Sequence, residues 1–309
     1  MIYLLYGTED YLIKKELDKI KKEYDINDIS IYDLEETNLK EIIENANTMS
    51  LFSNKRLIIL ENSSIFTGAS KKRDDIKCLE EYLNNPNENS TLIFIVNSDK
   101  LDSRKKILKL VVEKGKVIEF NDNFDIMKIV KEMFDNYEIS SSDVRLLIDR
   151  VGSNLFLLSN EINKIKTYKD NDYIVTREDI INITTKTVDI DIFHLIDNII
   201  KNNKKEALES YYEMLKLKEE PIKIIVMLSN QFRLMYQVKQ LSKKRYNVFD
   251  MMKILEQKKY TIEKAYEKAR QFGEDIILKK LYELANLDIN IKSGKINKDI
   301  ALELFILEN

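Results

Sequence analysis

Proline, glycine, cysteine and histidine are scarce: two, six, one and one among 309 residues. So few helix breakers favour a mostly helical chain. Cys78 stands alone, so no intrachain disulfide forms and an oxidising compartment is not indicated. The sole histidine, His194, lies in the apolar run IFHLI, where a packed or partly exposed helix residue is the ordinary reading. One histidine and one cysteine far apart make neither a metal site nor a thiol nucleophile, so no catalytic residue, metal or cofactor is expected. An excess of one charge is also missing. Fifty basic side chains face 53 acidic ones, and a net charge of -3 argues against binding nucleic acid through a broad basic surface. No apolar run approaches a membrane span, and the opening MIYLLYGTED lacks the basic region and apolar stretch of a signal peptide. A soluble cytoplasmic protein without a membrane partner is expected.

Two periodicities are present. Residues 2–6, 29–34, 57–60, 92–96 and 116–120 form short apolar runs typical of buried parallel strands. Between them the apolar residues fall at helical spacing, with Ile13, Leu17, Ile20 and Tyr24 on one face of a first helix that Thr8 caps. Leu39, Ile42, Ile43, Ala46 and Met49 mark a second helix, and Ile76, Leu79 and Leu83 a third. The alternation predicts an open parallel sheet with helices on both faces. After Asp122 strand signals nearly stop. Four short helices are expected over residues 126–134, 141–151, 155–165 and 176–183. Residues 184–191 carry no apolar helical face and read as a boundary. From Ile192 onward everything is helical, including a long helix over 220–241 with Ile224, Ile225, Leu228, Phe232, Met235 and Val238 in one stripe.

A strand, a glycine turn and a helix at the start of a chain raise the question of a phosphate-binding loop. Counted from Gly7, the second glycine and the lysine of G-x-x-x-x-G-K fall on Leu12 and Ile13, and Glu9 and Asp10 repel phosphate at that helix start. Glu61, after the third strand, reads as a strand-end charge. Nucleotide hydrolysis is therefore not expected, and the chain does not read as an enzyme by itself.

The stretch TMSLFSNKRLIIL, residues 48–60, places Leu51 and Phe52 together in a turn, where loops normally face water. Taken alone, such a pair is explained by packing onto its own domain. The chain, however, resembles the delta subunit of the bacterial clamp loader, part of the DNA polymerase III holoenzyme. The resemblance rests on YLLYGTEDYLI, TMSLFSNKRLIILEN, VGSNLFLLSNEINKI with its Glu161–Ile162 pair, SNQFRLMYQVKQL and LDINIKSGKI, in that order.

This resemblance implies an AAA+-like α/β domain without a P-loop over residues 1–122, a helical lid over 123–187 and a helical collar bundle over 188–309. It also implies a role for the turn. Leu51 and Phe52 occupy the positions that insert into a pocket on the ring-shaped sliding clamp (beta), with Met49, Ser50 and Arg56 flanking them. The glutamine that precedes the apolar pair in the general clamp-binding peptide is absent, and Asn47, Thr48 and Met49 stand there instead. The implied partners are the clamp, the other loader subunits (gamma/tau and delta prime) through the collar, and primed DNA within the assembled complex at the nucleoid. The implied activity is to bind and open the clamp for loading without hydrolysing ATP. The basic segments at 71–73, 103–106 and 243–245 read as solvated faces, with a role near primer-template phosphates as the weaker reading. Two other functional readings compete: a divergent ATP-hydrolysing AAA+ protein, and a helical DNA-binding or scaffolding protein. Nucleotide binding by the isolated chain separates the first, and salt-sensitive DNA affinity the second.

Overall fold

The structure, a computed structural model, describes all residues except 49–54, 69–74, 122–123, 171, 186–187 and 309, and only the backbone of 188–191. It divides into two compact units, Met1–Phe124 and Asp125–Asn309.

In the first unit, strands β1 (Ile2–Gly7), β2 (Ile29–Asp33), β3 (Arg56–Glu61), β4 (Ser90–Asn97) and β5 (Lys116–Phe120) form one sheet in the order β2-β3-β4-β1-β5. Every pairing is parallel. Alternate strand residues point to opposite faces, so the apolar runs fill two cores at once. Leu4, Ile58, Leu60, Leu92 and Phe94 pack under α2 (Leu39–Asn47), α3 (Ile76–Asn84) and α4 (Lys106–Lys114). Leu5, Leu57, Ile59, Ile93 and Ile95 pack under α1 (Asp10–Lys21) through Ile13, Leu17 and Ile20. Phe66 and Phe94 meet edge to face at 5.0 Å in the first of these cores.

All five strands and the helices between them stand where the apolar periodicity expects them, except that α2 ends at Asn47, short of the expected Met49, which lies outside the described residues. Two local expectations are corrected. Thr8 does not cap α1: Glu9 occupies the N-cap position, and no side-chain cap bond forms there. The chain is turned aside at Gly7, as described below, before a threonine cap can form. Tyr24 does not continue the α1 face, because the helix ends at Lys21. Its hydroxyl instead donates to Thr91 Oγ1 at 2.7 Å, a contact across 67 residues that helical spacing cannot signal.

The second unit begins with α5 (Ile126–Met133), α6 (Ser141–Val151), α7 (Leu155–Lys169) and α8 (Arg177–Ile183). Two-residue strands β6 (Glu138–Ile139) and β7 (Ile174–Val175) pair in parallel between them. The motif VGSN is a helix stop and start: Gly152 ends α6 at φ +89°, and Asn154 Oδ1 accepts from Phe156 N and Leu157 N at the start of α7. Ile162 is buried, while Glu161 pairs with Lys164 and accepts from Thr185 N at 3.2 Å. Arg150 closes the end of α8, donating from Nη2 to the carbonyls of Ile181 and Thr184.

Among the described residues seven more helices follow: α9 (Val188–Ile200), α10 (Lys204–Lys216), α11 (Pro221–Lys243), α12 (Val248–Leu255), α13 (Lys259–Gln271), α14 (Glu274–Lys292) and α15 (Lys298–Glu308). The expected boundary at 184–191 is shorter than the sequence suggests, since α9 begins at Val188. Val188, Ile190 and Ile192 alternate rather than repeat at helical spacing, which hid the first turn. The six apolar residues of the α11 stripe are all core, packed with Ile192, Leu195, Ile196 and Ile199 of α9 and Ile277 and Leu284 of α14. Within this unit Asp149 of α6 accepts from Lys264 Nζ at 2.6 Å and from the Tyr260 hydroxyl at 3.3 Å, tying α6 to α13.

Among the described residues no helix is long and apolar enough to cross a membrane.

Candidate functional site

In open α/β sheets, ligands bind beyond the carboxyl ends of the strands, where successive helices go to opposite faces. Here that place lies after β1 and β4, since α1 and α4 cover different faces. A phosphate site there needs free backbone N–H groups at the start of the helix. Two amides of the turn after β1 are taken: Thr8 N and Glu9 N both donate to Phe120 O, at 3.1 and 3.0 Å. The approach is so close that only glycine fits. A Cβ on Gly7 would lie 2.2 Å from Phe120 O, and its φ is +148°. Glu9 is buried at the same turn, and an acidic residue at a helix start disfavours an anion there.

The neighbouring edge is held by side-chain bonds of its own. The Tyr6 hydroxyl donates to Glu119 Oε2 at 2.7 Å, and Asn121 Nδ2 donates to Glu119 Oε1 at 2.6 Å. Partial burial, then the Glu119 carboxylate, push the Tyr6 phenol up to about 12. Glu61 is an exposed residue ending β3, as expected of a strand-end charge. Among the described residues no three histidine, cysteine or carboxylate side chains converge to hold a metal. His194 is exposed on α9, and Cys78 donates to Asp75 O from α3, its thiol pushed up by burial.

The second element of interest is the junction between α2 and β3. Met49, Ser50, Leu51 and Phe52 lie outside the described residues. The ends that carry this segment are described, and they are firmly fastened. A helix leaves its last carbonyls without intrahelical partners. At the end of α2 three of them are met by side chains: Thr48 Oγ1 donates to Glu44 O at 2.7 Å, Arg56 Nη1 to Asn45 O at 2.8 Å, and Ser90 Oγ to Ala46 O at 2.6 Å. Asn87 Nδ2 adds a second bond to Ala46 O at 3.1 Å. Arg56 is thus half-buried and bonded to its own domain, with Nη1 also on Asn45 Oδ1 at 2.8 Å. Sequence reasoning placed Arg56 beside the apolar pair but missed its bond to α2, and it missed Asn87 and Ser90 altogether. Nothing in the local pattern marks those two, because they approach from the β4 side.

The basic segments divide. Residues 71–73 lie outside the described residues. In 103–106, Arg104 pairs with Asp102, Lys105 donates to Ile65 O at 2.8 Å, and Lys106 donates to Glu80 at 2.7 Å. In 243–245, Lys243 pairs with Glu274. In the second unit several apolar side chains face outward on α14. Leu278, Tyr282 and Ile289 are exposed, while Ile277, Leu284 and Leu287 of the same helix are core.

A parallel five-stranded sheet whose first turn is closed onto its own backbone, followed by a long helical region, defines a class: AAA+-like proteins with a helical C-terminal part. The comparisons with known proteins narrow it. Residues 3–121 match the family model described as DNA polymerase III, delta subunit, and residues 189–309 match that of its C-terminal domain. The chain belongs to the DNA polymerase III delta-subunit family. It is 29% identical to the DNA polymerase III subunit delta of Bacillus subtilis, with 99% of this chain and 92% of the relative covered. It is 24% identical to a probable DNA polymerase III subunit delta of Aquifex aeolicus, over 79% of this chain and 72% of that one. Among solved structures, the Bacillus subtilis DNA clamp loader delta protein superposes with a TM-score of 0.80 at 28% identity, covering 99% of this chain and 94% of that chain.

Proposed function

We propose that this chain is the subunit of a clamp loader that binds and opens a ring-shaped sliding clamp, and that it does so without hydrolysing ATP. The observation that carries the second half is the turn after β1, where Thr8 N and Glu9 N are spent on Phe120 O. A cradle for phosphate would have to break both bonds and displace a buried carboxyl group. The family relationship supports the first half, together with the fastened junction between α2 and β3.

In this reading Leu51 and Phe52 are the apolar anchor, flanked by Met49 and Ser50, and the described helix end and strand start hold them ready. An anchor whose base is already ordered loses less entropy on binding. Affinity for a strained or opened clamp interface above that for the closed ring shifts the ring toward opening. Residues 1–122 carry the clamp contact, 123–187 form a lid, and 188–309 form a collar that joins the gamma/tau and delta prime subunits. The exposed face of α14 with Leu278, Tyr282 and Ile289 supplies apolar surface for that joining. Neighbouring subunits with intact nucleotide sites gate the clamp contact.

The test is to replace Leu51 and Phe52 together by alanine and measure affinity for the organism's own sliding clamp beside thermal unfolding. Two side chains that go from exposed to buried contribute about 1.5–3 kcal/mol each, on the order of a hundredfold or more in affinity together. Loss of clamp affinity at an unchanged melting temperature is expected. A large fall in melting temperature, with clamp affinity kept in the folded fraction, would put the anchor elsewhere.

A further inference from the structure

The outer edge of β2 is open. Among the described residues it pairs only with β3, and nothing stands beyond it in the sheet order. Leu34 N donates to Glu61 O, and a parallel ladder alternates, so Ser30 and Tyr32 turn their amides toward β3. Ile31 therefore turns its N–H and C=O outward. Two of its outward neighbours are already used: Ile29 N closes onto Ile26 O, and Asp33 O accepts from Thr37 N at 2.9 Å. What remains is a short row at the centre of the edge: Ile29 C=O, both groups of Ile31 and Asp33 N–H. Such a row is a template for one more strand.

A cleft of about 490 Å³ runs along this edge, lined by Lys21, Lys22, Tyr24, Ile26, Ile29 and Ile31. Ile26 is 82% exposed and Ile31 54% exposed. The floor is continuous with the core under α1, against which Tyr24 and Ile29 pack. No carboxylate lines the cleft, and among the described residues neither lysine has an ion-pair partner. Asp25, on the same loop, is exposed and caps its own turn, with Oδ1 accepting from Asn27 N and Nδ2 at 2.9 Å each.

We propose that this edge binds an extended segment of a partner protein as an added strand, a segment alternating aliphatic and acidic side chains. The three demands on the occupant are separate and agree. Open amides at strand spacing ask for extended backbone rather than a helix. An apolar cleft on one face asks for aliphatic side chains at every second residue. Two unpaired ammonium groups at its rim ask for carboxylates. The site precedes α2 in sequence, whereas Leu51 and Phe52 follow it, and it does not depend on the clamp reading.

The experiment is fluorescence anisotropy with the full chain and a fluorescein-labelled heptapeptide alternating aspartate and isoleucine. Saturable binding is expected, weakened about tenfold or more by Ile31→Asp and by Lys21→Glu combined with Lys22→Glu. The same peptide N-methylated at alternate amides loses binding, and Leu51→Ala with Phe52→Ala leaves it unchanged. Melting curves check that the variants stay folded. Absence of saturable binding overturns the proposal. So does equal binding of the N-methylated peptide or of one alternating lysine and isoleucine, which would be unspecific apolar adhesion. Sedimentation that finds a wild-type dimer dissolved by Ile31→Asp also overturns it, because the edge would then pair with a second copy.

Discussion

The guanidinium of Arg56 donates through Nη1 to both the backbone carbonyl and the side-chain oxygen of Asn45, each at 2.8 Å. One side chain at the start of β3 thereby closes the end of α2, across the segment that the proposed function assigns to the clamp. The bond is short and charge-assisted, and it adds to the bond that Thr48 N makes to the same carbonyl at 3.1 Å.

Arg56→Ala is expected to cost about 1–3 kcal/mol of stability, the range for a hydrogen bond to a charged group whose partner is left behind. Clamp affinity is expected to fall further than stability does, because the base of the anchor loosens. Chemical denaturation and clamp titration on the same variant separate the two effects. Arg56→Lys restores charge without the planar fork and recovers only part of either.

Gly7→Ala tests the closed turn. An added Cβ meets Phe120 O at 2.2 Å, and φ at +148° suits glycine alone. Destabilisation by about 2–3 kcal/mol is expected from strain and overlap together. Calorimetry with ATP and magnesium is expected to give no binding isotherm for the wild-type chain, and none for the variant either. A micromolar isotherm in the wild type would return the chain to the ATP-hydrolysing reading.

Leu278→Glu combined with Tyr282→Glu probes the outward face of α14. Both positions are exposed, so the free chain is expected to change in stability by no more than about 0.5 kcal/mol. Reconstitution of the loader followed by size-exclusion chromatography is expected to lose this subunit, while binding to the isolated clamp persists.

Alkaline titration reads two phenols, Tyr211 buried and Tyr6 partly buried. Tyr6 and Tyr211 are both held up to about 12, each first by burial, Tyr6 then by Glu119 and Tyr211 by Glu303. A tyrosine ionises near 10 when unfolded, so the neutral form is favoured by folding. The stabilisation is fully present below about pH 10 and disappears as pH rises through about 12. Ultraviolet difference titration is expected to show a late phase that Tyr6→Phe diminishes, and the midpoint of urea unfolding is expected to fall across the same window.

The residues themselves determined a great deal here. Apolar runs and apolar stripes with period 3.6 are local signals, so the five strands of the first sheet and the helices between them were legible, and the chain from Ile192 onward was legible as helical, while the two-residue strands β6 and β7 were not. The missing lysine and second glycine after Gly7 were equally plain. Tertiary structure alone decided which strands are neighbours, since β1 lies between β4 and β5 although neither is near it in sequence. It decided that Thr8 and Glu9 turn to Phe120, that Arg56, Ser90 and Asn87 close the end of α2, and that Tyr24 leaves its helix for Thr91. It also separated two apolar stripes that look alike in the sequence: the one on α11 is core, and that of Leu278, Tyr282 and Ile289 on α14 is surface. The physical reason is common to all of these. Periodicity reports which side of an element is apolar, but the partner that covers it, or meets an orphaned carbonyl, arrives from tens of residues away and leaves no mark on the local pattern.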